Sequence, residues 1–251
     1  MPGISKGAKN DKIKSFCYRG TMNKDTQKEL LRTIKKNYED DARTFDETRE
    51  KPIWPPLLAL LKKVPNESKV LDVGCGNGRL LKILAEANVK YVGVDLSENL
   101  IKICQEKYPE YKFAVQDILN LGALADFDFD YVFCIAVLHH LPGANLRLQA
   151  LRQLKNKIKT GGKIILSVWN MWPQEKYRKM FYKFSLLKIC GRNKMDFGDV
   201  LFDWRAPGGM MSKRYYHLFF QGELKRLIKK SGLKIENFIA DKYNFYLVLK
   251  K

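Results

Sequence analysis

The chain has 251 residues, 45% apolar and 29% charged, the makeup of an ordinary globular protein and short for two full domains. Lysine and arginine number 46 against 27 aspartate and glutamate, a net charge of +19; such a surface attracts polyanions, nucleic acid first, although a lysine-rich proteome would produce the same figure. There is no run of eighteen apolar residues to span a membrane, and MPGISKGAKNDKIKSF lacks the apolar core of a secretory signal. Cys17, Cys75, Cys104, Cys134 and Cys190 form no CxxC pair, so the natural reading is a reducing cytoplasm without a zinc site or disulfide framework.

Residues 1–22 mix Lys, Gly, Ser and Asn without period and are predicted to be a loose basic tail. Over 24–44, Leu30, Leu31, Ile34, Tyr38 and Ala42 recur three or four apart, which predicts a helix. A second helix is predicted over 54–63, with Pro55 and Pro56 in its first turn and Pro65-Asn66 after it. Together they form a helical cap over 23–66.

Strands and helices then alternate. KVLDVG (69–74), YVGVD (91–95), YKFAVQD (111–117), FDYVFCIAV (129–137) and KIILSVW (163–169) read as strands. RLLKILAEA (79–87), ENLIKICQEKY (98–108) and residues 146–158 read as helices between them. This order predicts a parallel sheet covered by helices on both faces. Residues 170–212 are an aromatic and basic insertion with one helix predicted over 175–188. A last helix is predicted over 222–230, then strands over 233–240 and 244–251, too closely joined to be parallel. The fold class is therefore α/β, a Rossmann-like doubly wound sheet whose last strand runs antiparallel.

The motif with the most chemistry is VLDVGCGNG, residues 70–78. A strand runs into Gly74, Gly76 and Gly78 and then a helix, so backbone can approach a ligand closely and helical N–H groups face it. A dinucleotide turn places its third glycine one residue later. Asp72, at the strand end, suits an ammonium, which a dinucleotide lacks and S-adenosylmethionine carries. Asp95 ends the next strand, where a carboxylate accepts bonds from a ribose diol. Asp117 ends the third, within reach of an adenine amino group, with Ile118 beside the ring. The expected cofactor set is Tyr38, Asp72, Gly74, Cys75, Gly76, Asn77, Gly78, Asp95, Leu96, Asp117, Ile118, Ile135 and Ala136, around S-adenosyl-L-methionine.

On DVGCGNG, Asp95, VLHHL (137–141) and Gly161-Gly162, the chain resembles the class I S-adenosylmethionine-dependent methyltransferases over roughly 68–250. That resemblance implies seven strands with the last antiparallel, and 23–251 as one methyltransferase domain. NYEDDARTFDETREKPIWP (37–55), IAVLHH (135–140), SVW (167–169), Asp199 and Trp204 in part, and RYYHLFFQGEL (214–224) are similar to the tRNA wobble-uridine methyltransferases. That narrower resemblance implies esterification of 5-carboxymethyluridine in the tRNA anticodon loop, and raises a small zinc-binding activator subunit as a partner. The segment before RYYH is much shorter than in fungal members.

Methyl transfer to an ionised carboxylate needs no strong base, so positioning should dominate and arginine suits the grip. Arg49 is expected on the cofactor or on the substrate carboxylate, and His140, Arg214, Tyr215 and His217 on the substrate side. Tyr216 belongs to the same group, and Trp54 is placed either over the cofactor or in the core. The stretch 213–224 could equally be an aromatic plug under the last helix, with Phe219 and Phe220 packed. Lys6, Lys9, Lys12, Lys14, Lys24, Lys35 and Lys36 either follow an RNA backbone or are simply solvated. A small-molecule methyltransferase of the same fold, or a non-catalytic cofactor- or RNA-binding protein, remain the alternatives.

Overall fold

The computed structural model describes residues 22–48, 52–205 and 211–251. Arg49 and all of the expected basic tail except Met22 lie outside them.

Seven strands form the main sheet: β1 (Lys69–Val73), β2 (Lys90–Asp95), β3 (Lys112–Val115), β4 (Phe129–Ile135), β5 (Ile158–Trp169), β8 (Lys234–Ala240) and β9 (Asn244–Lys250), in the order β3-β2-β1-β4-β5-β9-β8. Neighbours from β3 to β5 are parallel, while β9 is antiparallel to both β5 and β8. The chain steps outward from β1 to β3 and then returns to β4. That reversal opens a crevice beyond the carboxyl ends of β1 and β4, where open α/β sheets bind ligands.

The strands are apolar on both sides because both faces are covered. Alternate side chains go to opposite faces. Leu71, Val73, Ile164, Leu166, Leu247 and Leu249 enter one core, with Ala150, Leu151 and Leu154 of α6 (Ala144–Lys157) and Leu224, Leu227 and Ile228 of α8 (Gln221–Ser231). Val70, Phe133, Ile165, Tyr246 and Val248 enter the other. There they meet α3 (Pro55–Leu61), α4 (Leu81–Leu84) and α5 (Glu98–Lys107).

Several boundaries differ from the sequence expectation. The helix predicted over 24–44 is two: α1 (Lys24–Asp40), capped by Asn23, and α2 (Ala42–Thr48). Asp41 breaks them, its side chain drawn into an ion pair with Arg214. The helix predicted over 79–87 is only α4 followed by the 3-10 turn Ala85–Ala87, closed by Asn88 at φ 47°. β3 stops at Val115, so Asp117 is not a strand end; it caps the 3-10 segment Ile118–Ala123, accepting the Leu119 N–H at 2.8 Å. The insertion does hold its predicted helix, α7 (Glu175–Ile189). It also leads into a hairpin that the sequence pattern does not announce, β6 (Asp199–Arg205) paired antiparallel with β7 (Met211–His217).

Candidate active site

A cleft of about 340 Å³ opens at the crevice. Its floor is the turn after β1. Gly74, Gly76 and Gly78 have φ of 73°, 58° and 72°, a region that side chains with a Cβ rarely adopt. A Cβ on Gly74 would also lie 2.3 Å from Val137. The turn is tied to β2 by the Gly74 and Cys75 N–H groups, which donate to the Val94 carbonyl at 2.7 and 3.0 Å. Asn77 donates to Asp46 at 2.9 Å, which fastens α2 against the turn.

Three acids line the cleft at the carboxyl ends of successive strands: Asp72 within β1, Asp95 closing β2 and Asp117 just beyond β3. Asp72 is buried, and Tyr91 donates to its Oδ2 at 2.9 Å. Burial pushes its carboxyl up to about 7, helped by the Asp95 charge and opposed by Tyr91 and Arg79. Asp95 accepts the Gly76 and Ser97 N–H groups, each at 3.0 Å, so it braces the glycine turn directly. Burial raises its pKa, and those backbone donors hold it down. The Cys75 thiol is raised well above its ordinary value by the hydrogen bond with Cys104 and by burial, so it stays protonated. Ala136, also in the wall, has φ 60°, a conformation that costs a non-glycine residue about 1–2 kcal/mol.

The facing wall comes from distant parts of the chain. The Tyr38 hydroxyl from α1 is 2.9 Å from His140 Nε2. His140 lies 4.9 Å from the Tyr216 ring, and Tyr216 lies 4.8 Å from Trp169. Arg214 sits 5.4 Å over the Tyr38 ring while pairing with Asp41. His139 stands behind, fully buried, and burial drives its pKa well below the ordinary value, so it is neutral.

Of the expected cofactor residues, the cleft gathers Tyr38, Asp72, Gly74, Cys75, Gly76, Asn77, Asp95, Leu96, Asp117, Ile118, Ile135 and Ala136. Gly78 stands behind the turn against Tyr108. His140 lines the cleft; Arg214 lies one ring away, behind Tyr38. Tyr215 and His217 do not reach it. A strand sends alternate side chains opposite ways, so Arg214 and Tyr216 share one face of β7 and Tyr215 and His217 the other. Tyr215 is packed with Met22, Leu30, Ile34 and Met195. His217 lies between Asp199 at 2.7 Å and Glu223 at 2.8 Å. Burial and the Arg147 charge oppose its protonation, yet the two carboxylates prevail and its pKa is raised.

Arg32 and Phe45 are absent from the expected set, and Lys35 is expected only on RNA backbone; all three line the cleft, as do Trp54 and Trp169. Arg32, Lys35 and Tyr38 recur every three residues along α1, a one-face spacing readable in the sequence. Phe45 carries no such signal.

Residues 71–164 match a family described as a methyltransferase domain. The chain is 31% identical to a tRNA (carboxymethyluridine(34)-5-O)-methyltransferase of Schizosaccharomyces pombe, over 85% of this chain and 94% of that protein. A similarly named enzyme of Xenopus tropicalis is 28% identical over 87% of this chain, which spans 40% of that longer protein. Among solved structures, a SAM-dependent methyltransferase of Methanosarcina mazei shares the fold, with a TM-score of 0.65 at 20% identity, over 80% of this chain and 99% of that one.

Proposed function

Since the chain belongs to the tRNA (carboxymethyluridine(34)-5-O)-methyltransferase family, we propose that its cleft binds S-adenosylmethionine and methylates the carboxylate of 5-carboxymethyluridine at the tRNA wobble position. One observation carries this reading: a glycine turn and three acids on one wall face a wall of Tyr38, His140, Trp169 and cations from α1, across a single cleft.

The residues present fit the cofactor. Asp72, held near neutrality by burial with one oxygen taken by Tyr91, becomes a full carboxylate when an ammonium arrives. Asp95 keeps capacity for ribose hydroxyls beyond its two backbone donors. Asp117 and Ile118 would flank the adenine. At Gly74 and Gly76 a side chain would run into Val137 and Phe45, so the turn presents bare backbone to the cleft. Bound there, S-adenosylmethionine supplies a methyl group already activated on a sulfonium, which the substrate carboxylate takes to form a methyl ester and leave S-adenosylhomocysteine.

The remaining work is positioning. Arg32 and Lys35 bring positive charge to the cleft for an anionic nucleoside. Tyr38, fixed by His140 and Arg214, and Trp169, backed by Tyr216, shape the entrance for a flat base. Neutral His139 backs these rings without adding charge. In this reading residues 23–251 act as one domain, with 23–66 as its helical cap. The chain works in the cytoplasm, consistent with free Cys75, Cys104 and Cys134; among the described residues no helix is long and apolar enough to cross a membrane.

Purified protein is incubated with labelled S-adenosylmethionine and tRNA bearing 5-carboxymethyluridine, with and without the zinc-binding activator subunit. Label should appear as the methyl ester in the anticodon loop. No transfer under either condition would sink the reading.

A further inference from the structure

The insertion carries a surface that the cleft leaves unused. No residue of α7 is fully buried. Its inner side packs through Tyr177 and Phe181 onto Phe202 and Phe220. Its outer side exposes Lys179, Tyr182, Lys183, Leu186 and Ile189, spaced three and four apart along one helix face, with the exposed Lys176 at its edge, its ammonium 5.5 Å over the Phe202 ring. Tyr182 and Leu186 are each 62% exposed. Between 175 and 194 there are seven lysines and arginines and one acid, Glu175. That acid meets Lys179 at 2.7 Å with both side chains largely in solvent, where such a pair holds neither in place.

This face lies beside the cleft. Trp169 lines the cleft, and Trp172 follows three residues later, a span of at most ~11 Å. The Trp172 ring is 5.5 Å from Phe181 and 6.3 Å from Tyr182. Charge and ring content choose the occupant. The core of a protein interface is depleted in lysine, whereas an unpaired RNA strand is held by lysines on phosphates and rings on bases.

We propose that the outer face of α7 is a docking surface for the tRNA substrate. Lys176, Lys179 and Lys183 hold phosphates flanking the wobble nucleotide, and Tyr182 stacks on an unpaired base. The inference rests on the reading that tRNA is the substrate, and adds where it is gripped.

The test compares wild type with K176E/K179E/K183E and with Tyr182→Ala. Methylation kinetics are measured on tRNA bearing 5-carboxymethyluridine, and binding of the same tRNA is followed by fluorescence anisotropy across a salt series. In the triple variant KM should rise about tenfold or more, and the slope of log affinity against log salt should fall by about 2, from three phosphates at ~0.7 each. Its kcat at saturating tRNA and its cofactor affinity should stay within about twofold, since no cleft residue is touched. Tyr182→Ala should raise KM about tenfold and leave the salt slope unchanged. Wild-type KM and slope in both variants overturn the docking surface while leaving methylation intact. A wild type that does not methylate overturns the functional reading instead, and anisotropy still decides the docking surface. Binding to anionic phospholipid vesicles that the triple variant loses, with tRNA affinity unchanged, overturns it in favour of a membrane.

Discussion

The two walls of the cleft are built by opposite strategies. The wall at 70–78 is local and made of backbone: one strand, one turn, with φ values that only glycine adopts cheaply. Its acids come from the carboxyl ends of neighbouring strands of one sheet, Asp72 and Asp95 within β1 and β2 and Asp117 just beyond β3. The facing wall is made of side chains from α1, the turn after β4 and the end of β5, backed by strand β7; Tyr38 and His140, which meet there, are 102 residues apart in sequence. A local wall tolerates change elsewhere in the chain; an assembled wall depends on every element that brings its rings together.

The sharpest break of that contrast is Gly74→Ala. The added methyl meets Val137 at 2.3 Å at a φ of 73°. Left-handed strain of about 1–2 kcal/mol and overpacking of about 1–3 kcal/mol force the turn to shift, and with the turn displaced we expect cofactor affinity to fall on the order of 100-fold. Calorimetric titration with S-adenosylmethionine reads it, and near-wild-type affinity would mean the turn does not approach the ligand. Arg214→Ala attacks the other wall. It leaves Asp41 without its cation and Tyr38 without its cover. We expect kcat/KM for tRNA to fall about 10- to 100-fold while the cofactor constant changes by less than about twofold; an equal loss of both would show that the walls are not separable.

Asp72 offers a third test. With its carboxyl held up to about 7, an ammonium ligand must draw off its proton at lower pH. Cofactor affinity should therefore fall by up to about tenfold per pH unit below pH 7, and Asp72→Asn should abolish that slope. A flat profile in wild type would place the ammonium elsewhere. The smallest effect belongs to His217, which anchors β7 without touching the cleft. Its folded pKa is raised above 6.5, so its contribution to stability is complete below that pH and is lost as pH rises through the folded value. The slope cannot exceed about 1.4 kcal/mol per pH unit for one proton. Denaturant melts across pH should show it in wild type and not in His217→Gln.

The contrast also explains what is legible in the residue pattern. The glycine turn, Asp72 and Asp95 follow from neighbouring residues, so the pattern of strand, turn and helix suffices to place them. Asp117 is expected as the last residue of a strand but lies in the turn beyond it, where its side chain caps the following 3-10 segment and β3 ends two residues early. RYYH stands out in the sequence as one unit. Pairing in β7 splits it, so that Tyr216 and Arg214 back the cleft-lining rings of His140, Trp169 and Tyr38 while Tyr215 and His217 anchor the hairpin.

By itself the sequence determined the α/β alternation, the antiparallel last strand and the acid-and-glycine floor, since each arises from hydrophobic period and turn chemistry within a few residues. The tertiary structure alone decided which rings and cations face that floor. Strand pairing at β6–β7 and the break at Asp41 select one side chain over its neighbour, and both depend on partners 18 and 173 residues away.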